Sequence, residues 1–113
     1  MLINDRRGKA RVLASIDASW EGLIAQCGGL VVDLSEAGCF ILTSDRVTAG
    51  ETVWLEMRPS TGERVGAWGE VVYQVPEMGF ALRFVEHDNA AQRRALARLI
   101  ERLRQDSGAL ACA

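Results

Sequence analysis

From Val12 to Phe84 apolar and polar residues alternate in short runs broken by turn residues, the period of half-buried β-strands. Val12, Ala14 and Ile16 alternate with Leu13, Ser15 and Asp17, and a turn is expected around Glu21-Gly22. Cys27-Gly28-Gly29 leads into a second run, in which Leu30, Val32 and Leu34 occupy one parity and Asp33 and Ser35 the other. If the apolar parity faces the core, Asp33 and Ser35 stand side by side on the outside. Gly38 ends that run, and Cys39 to Leu42 starts a third. Val53, Leu55 and Met57 alternate with Trp54, Glu56 and Arg58 in a fourth.

Pro59-Ser60-Thr61-Gly62 reads as a hairpin turn. A fifth strand is expected over 64–75, with Gly66 and Gly69 as bulge or close-approach positions. Pro76-Glu77-Met78-Gly79 turns the chain into Phe80, Leu82 and Phe84. The period then changes. Asp88 or Asn89 can cap a helix, with Gln92 in capping-box spacing to Asn89. Leu96, Leu99, Ile100 and Leu103 form its core-facing stripe, and Gly108 is the expected stop. Evenly spaced short strands with such turns argue for a small barrel or sandwich. The three Trp residues, Trp20, Trp54 and Trp68, read as packing residues.

Length and composition narrow the picture. At 113 residues, 49% of them hydrophobic and 25% charged, the chain is expected to form one soluble domain. No apolar run is long enough for a membrane span. The N-terminus turns charged too early for a signal peptide, so a cytoplasmic protein without membrane insertion is expected. Cys27, Cys39 and Cys112 are odd in number and lack C-x-x-C spacing, which suggests reduced thiols and neither a disulfide framework nor a metal site.

The net charge of −2 hides a segregation. Arg6, Arg7, Lys9 and Arg11 crowd the first eleven residues against a single acid, Asp5. Arg93, Arg94, Arg98, Arg102 and Arg104 lie near the other end. A nucleic-acid polymer would call for a broader basic surface, whereas a small anion needs only one local cluster.

Two short patterns carry the chemistry: Arg7-x-x-x-Arg11, and Asp33-x-Ser35-x-x-Gly38 downstream. Arginine is a two-toothed donor that fits phosphate oxygens and the O6/N7 edge of guanine. A carboxylate accepts from guanine N–H groups, and glycine lets a backbone approach closely. Asp and Ser before Gly also build ordinary strand-end turns, a reading compatible with the first because such a turn preorganises Asp33. The paired patterns resemble the signature of PilZ domains, bacterial receptors for cyclic di-GMP, and the resemblance extends over nearly the whole chain.

That resemblance implies a mainly β fold: a six-stranded antiparallel PilZ-type β-barrel with a C-terminal α-helix. The expected organisation is a basic arm over 1–11, the barrel over 12–87 and the helix over 88–106. It assigns Arg7 and Arg11 to phosphates and the guanine Hoogsteen edge, with Arg6 adding field. Asp33 and Ser35 take guanine and phosphate contacts, and Gly38 leaves room for the base. Tyr73 stands where many relatives place an aromatic near the ligand.

The implied ligand is cyclic di-GMP, with no other cofactor. The implied partner is a downstream protein that responds when ligand pulls the apolar-poor arm onto the barrel. The alternative is a PilZ-like protein–protein adaptor that binds no nucleotide, using the faces of the C-terminal helix. An enzyme is not expected. His87 is the single histidine and lies in an acidic turn, and no phosphate-binding loop, nucleophile elbow or metal cluster occurs.

Overall fold

The computed structural model describes the backbone of residues 11–21, 26–85 and 90–112, and the side chains of these up to residue 105. Six strands appear in chain order: β1 (Val12–Glu21), β2 (Gln26–Leu34), β3 (Gly38–Leu42), β4 (Thr52–Arg58), β5 (Val65–Val75) and β6 (Gly79–Phe84). One helix, α1 (Ala90–Cys112), follows. Every pairing is antiparallel, and the order β1-β2-β3-β6-β5-β4 closes on itself through β4 and β1. The expected six-stranded barrel with its C-terminal helix is therefore what the chain forms. Closure removes the two exposed edges that an open sheet would present.

Alternation fills the barrel. Ile16, Ala18 and Trp20 of β1 meet Val53, Leu55 and Met57 of β4, Val65 and Val71 of β5, and Phe80 and Leu82 of β6, all nearly solvent-free. Trp20 packs edge-on against Phe80, with ring centroids 5.1 Å apart. Burying one large apolar side chain in such a core stabilises the fold by about 1.5–3 kcal/mol. Leu96, Leu99 and Ile100 bury the helix stripe in the same core, with Leu103 packed half-buried beside them. The helix lies against β1 and β5. There Gln92 donates its side-chain N–H to the Gly66 carbonyl at 2.5 Å, and Arg102 pairs with Glu63 at 3.5 Å.

Several expectations need correction. Strict alternation in β2 placed Leu30, Val32 and Leu34 on the core face, yet Val31 and Leu34 are the fully buried residues. The cause is a bulge. Val31 pairs with Ile41 and Asp33 with Phe40, which leaves Val32 as an extra residue against β3. Ser35, expected outside, is buried. Gly66 and Gly69 are close-approach positions, but the bulge of β5 falls at Val72, between the pairs Val71–Leu82 and Tyr73–Ala81.

Trp20 is a packing residue, whereas Trp54 and Trp68 stack edge-to-face on the outside, 39% and 41% exposed. The helix passes Gly108 and runs to Cys112. One glycine in a helix costs about 1 kcal/mol relative to alanine, and Ala109, Leu110 and Ala111 beyond it are good helix formers. The proposed cap at Asp88 or Asn89, the turn at Gly22 and His87 lie outside the described residues.

Candidate functional site

Arg11 stands at the mouth of β1, one residue before Val12 pairs with Leu34. Its Nη1 donates to Asp33 Oδ1 at 2.6 Å, a charge-assisted hydrogen bond between residues 22 apart in sequence. The pair is partly open, with side chains 42% and 29% exposed. In this pair Asp33 is the acceptor, and Nη1 is one of several N–H donors that the Arg11 guanidinium carries.

Asp33 reaches the surface because of the Val32 bulge. With Val31 inside, strict alternation would send Asp33 inside too, opposite Cys39. The extra residue restores it to the outward row opposite Phe40.

Ser35 and Gly38 build the turn that follows. The Ser35 hydroxyl accepts from the N–H of Ala37 at 3.1 Å and of Gly38 at 3.3 Å, while the Ser35 N–H donates to the Gly38 carbonyl at 2.9 Å. A side chain so committed shapes the turn. At Gly38 a Cβ would lie 2.2 Å from the Leu82 carbonyl oxygen of β6, so only glycine lets β3 begin this close to its neighbour. Cys39 lies directly beneath. Burial pushes its thiol far above the usual range, the Asp33 carboxylate adds to the effect, and the Arg11 guanidinium opposes it.

Tyr73 is 54% exposed, re-aimed outward by the Val72 bulge. It shares a lateral row with Asp33: Leu13, Asp33, Phe40, Ala81 and Tyr73 pair in turn across β1, β2, β3, β6 and β5. Three strand spacings, about 14 Å measured around the barrel wall, lie between Asp33 and Tyr73. Arg11 and Asp33 thus come together, Ser35 and Gly38 hold the adjoining turn, and Tyr73 points outward from β5, three strands away around the barrel. Arg6 and Arg7 lie outside the described residues.

Sequence reasoning missed Leu13 and Phe40 on either side of Asp33. The signal for Leu13 was present, since alternation put it with Ser15 and Asp17 on the polar face. Among the described residues no group of three or more His, Cys, Asp or Glu could hold a metal.

The described residues thus form a small closed barrel with an arginine–carboxylate pair at one end of β1 and β2. Comparison with protein families gives it a place: the PilZ domain model matches residues 5–102, and the chain belongs to the PilZ family. The isolated PilZ domain of YcgR from Escherichia coli, solved with c-di-GMP, superposes with a TM-score of 0.79 at 17% identity. It covers 94% of this chain and 97% of that one. The PilZ domain of CeSA from a cellulose-synthesizing bacterium gives 0.68 at 19% identity, covering 84% and 98%.

The Bacillus subtilis inhibitor of motility, MotI/DgrA, gives 0.70 at 21% identity, covering 89% of this chain. The chain spans only 52% of that protein. At these identities the likeness establishes the fold. Comparison with curated protein sequences found no significant match. Among the described residues no helix is long and apolar enough to cross a membrane.

Proposed function

We propose that the chain is a cyclic di-GMP receptor. The observation that carries this reading is the Arg11–Asp33 pair, 2.6 Å apart on the barrel rim, in a chain of the PilZ family. A neighbouring fold, the YcgR domain, was solved with that ligand. Arg7 and Arg11 take phosphate oxygens and the Hoogsteen edge of a guanine, with Arg6 adding positive field. Asp33 accepts from guanine N–H groups. Ser35 and Gly38 serve by fixing the turn that presents Asp33 and the nearby backbone. Tyr73 offers a stacking face at the far end of the outward row.

Because Arg7 and Arg11 belong to the N-terminal arm and Asp33 to β2, one ligand bridging them fastens residues 1–11 to the barrel. The altered surface is what a downstream protein would read. The module binds and relays; it does no chemistry on the nucleotide.

Calorimetric titration with cyclic di-GMP, with GTP as control, tests the reading. Selective binding that weakens about ten- to a hundredfold in Arg11→Ala is expected, the loss of one charged hydrogen bond. Amide exchange across residues 1–11 should slow in the same samples. Absence of heat and of thermal stabilisation would reject the receptor. It would favour the nucleotide-free adaptor, for which the outward Trp54–Trp68 pair is the specific supporting feature.

A further inference from the structure

The outward row through Asp33 has an unusual composition. Leu13 on β1 is 79% exposed, the most exposed large apolar residue described, and it pairs directly with Asp33. Phe40 on β3 pairs with Asp33 from the other side and is half-buried. Side chains paired in this way stand about 4.5–5.5 Å apart on one face of a sheet. A carboxylate already joined to Arg11 is thus flanked by an aliphatic and an aromatic side chain.

An exposed leucine by itself needs no explanation. The arrangement here is more specific, because register irregularities set it up. Without the extra residue at Val32, Asp33 would face Cys39 inside, and Val32 would stand opposite Phe40. β1 slips by one residue at the same level, between Leu13 and Ile16, which brings Leu13 opposite Asp33. Bulges that re-aim side chains are a recurrent device beside binding sites.

Resting on the receptor reading above, we infer that Leu13 and Phe40 are specificity-determining residues. They form an apolar seat for the face of the guanine whose edge Arg11 and Asp33 hold. A purine needs both kinds of contact: polar partners in the plane of the ring and apolar or aromatic surface against its faces. Arg11 and Asp33 supply the first, and Leu13 and Phe40, on each side of them, supply the second. The seat discriminates a planar base from a bare phosphodiester or pyrophosphate, which would use Arg11 alone. Ala81, the next residue in the row beyond Phe40, is small.

The test is titration of Leu13→Ser, Phe40→Ser, Leu13→Met and Phe40→Trp with cyclic di-GMP and with pyrophosphate, at two salt concentrations. Phe40→Ser is expected to lose about five- to a hundredfold in affinity for cyclic di-GMP, the range for one base–aromatic contact. Leu13→Ser is expected to lose about three- to tenfold, as a smaller apolar contact should. Leu13→Met and Phe40→Trp should bind like the parent. Neither serine variant should change weak pyrophosphate binding or the salt dependence, whereas Arg11→Ala should reduce both.

Leu13 is exposed enough that Leu13→Ser will fold, so it decides alone if Phe40→Ser does not. Tight binding by the parent and equal binding by the folded serine variants would overturn the seat and leave the receptor standing. No binding by the parent would overturn both.

Discussion

Two residues apart, Asp33 and Ser35 do different work. Asp33 reaches the surface and holds Arg11, while Ser35 turns inward and its hydroxyl takes two backbone N–H groups. The consequence is a separation of binding from stability. Ser35→Ala should lower the unfolding free energy by about 1–3 kcal/mol, because it leaves buried N–H groups without an acceptor. Arg11→Ala, which removes a partly exposed ion pair, should cost less than about 1 kcal/mol. Urea melts of the two variants measure this directly; equal losses would contradict the division.

Arg11, Asp33, Ser35 and Gly38 were all legible in the sequence, because residue type and spacing name them. The inward turn of Ser35 was not. Alternation counts residues, and it does not see that a turn begins where a strand ends or that Val32 is surplus.

At the scale of elements, each strand was legible from its alternating runs, and Leu96, Leu99, Ile100 and Leu103 marked the helix by their spacing. Where the pattern misled, as at Val32, the cause was a single inserted residue whose register depends on the neighbouring strand. The bulge at Val72 belongs to the same class: it needs β6 to define it, and the glycines at 66 and 69 drew attention away. The β5–β6 turn was read correctly as a turn, and its geometry adds something.

Met78 N–H donates to the Val75 carbonyl at 3.0 Å, and Glu77 sits at φ 63°. With Pro76 before it, Glu77 occupies the position of a type II turn that prefers glycine. Relief of the left-handed penalty, about 1–2 kcal/mol, exceeds the added entropy cost of glycine, about 0.5–1 kcal/mol. Glu77→Gly should therefore stabilise the domain by about 0.5–1 kcal/mol, seen as a higher thermal midpoint. A lower midpoint would show that the Glu77 side chain does something the turn geometry does not reveal.

On the scale of the whole molecule, the barrel divides its outer surface. Leu13, Asp33 and Phe40 lie on β1, β2 and β3, and Arg11 immediately precedes β1. The strand order places the Trp54–Trp68 pair of β4 and β5 largely across the barrel from them, and the helix packs against β1 and β5. Closure followed from the family resemblance and the helix from its apolar stripe, but this partition did not, because it depends on which strands pair.

A ligand on the first face should leave the second undisturbed. Backbone amide spectra of the isotopically labelled protein, recorded with and without cyclic di-GMP, test that most directly. The largest changes are expected at Arg11, Leu13, Asp33, Gly38 and Phe40, with Trp54, Trp68 and residues 94–104 little affected. An unchanged spectrum, or changes confined to Trp54, Trp68 and the helix, would contradict the account.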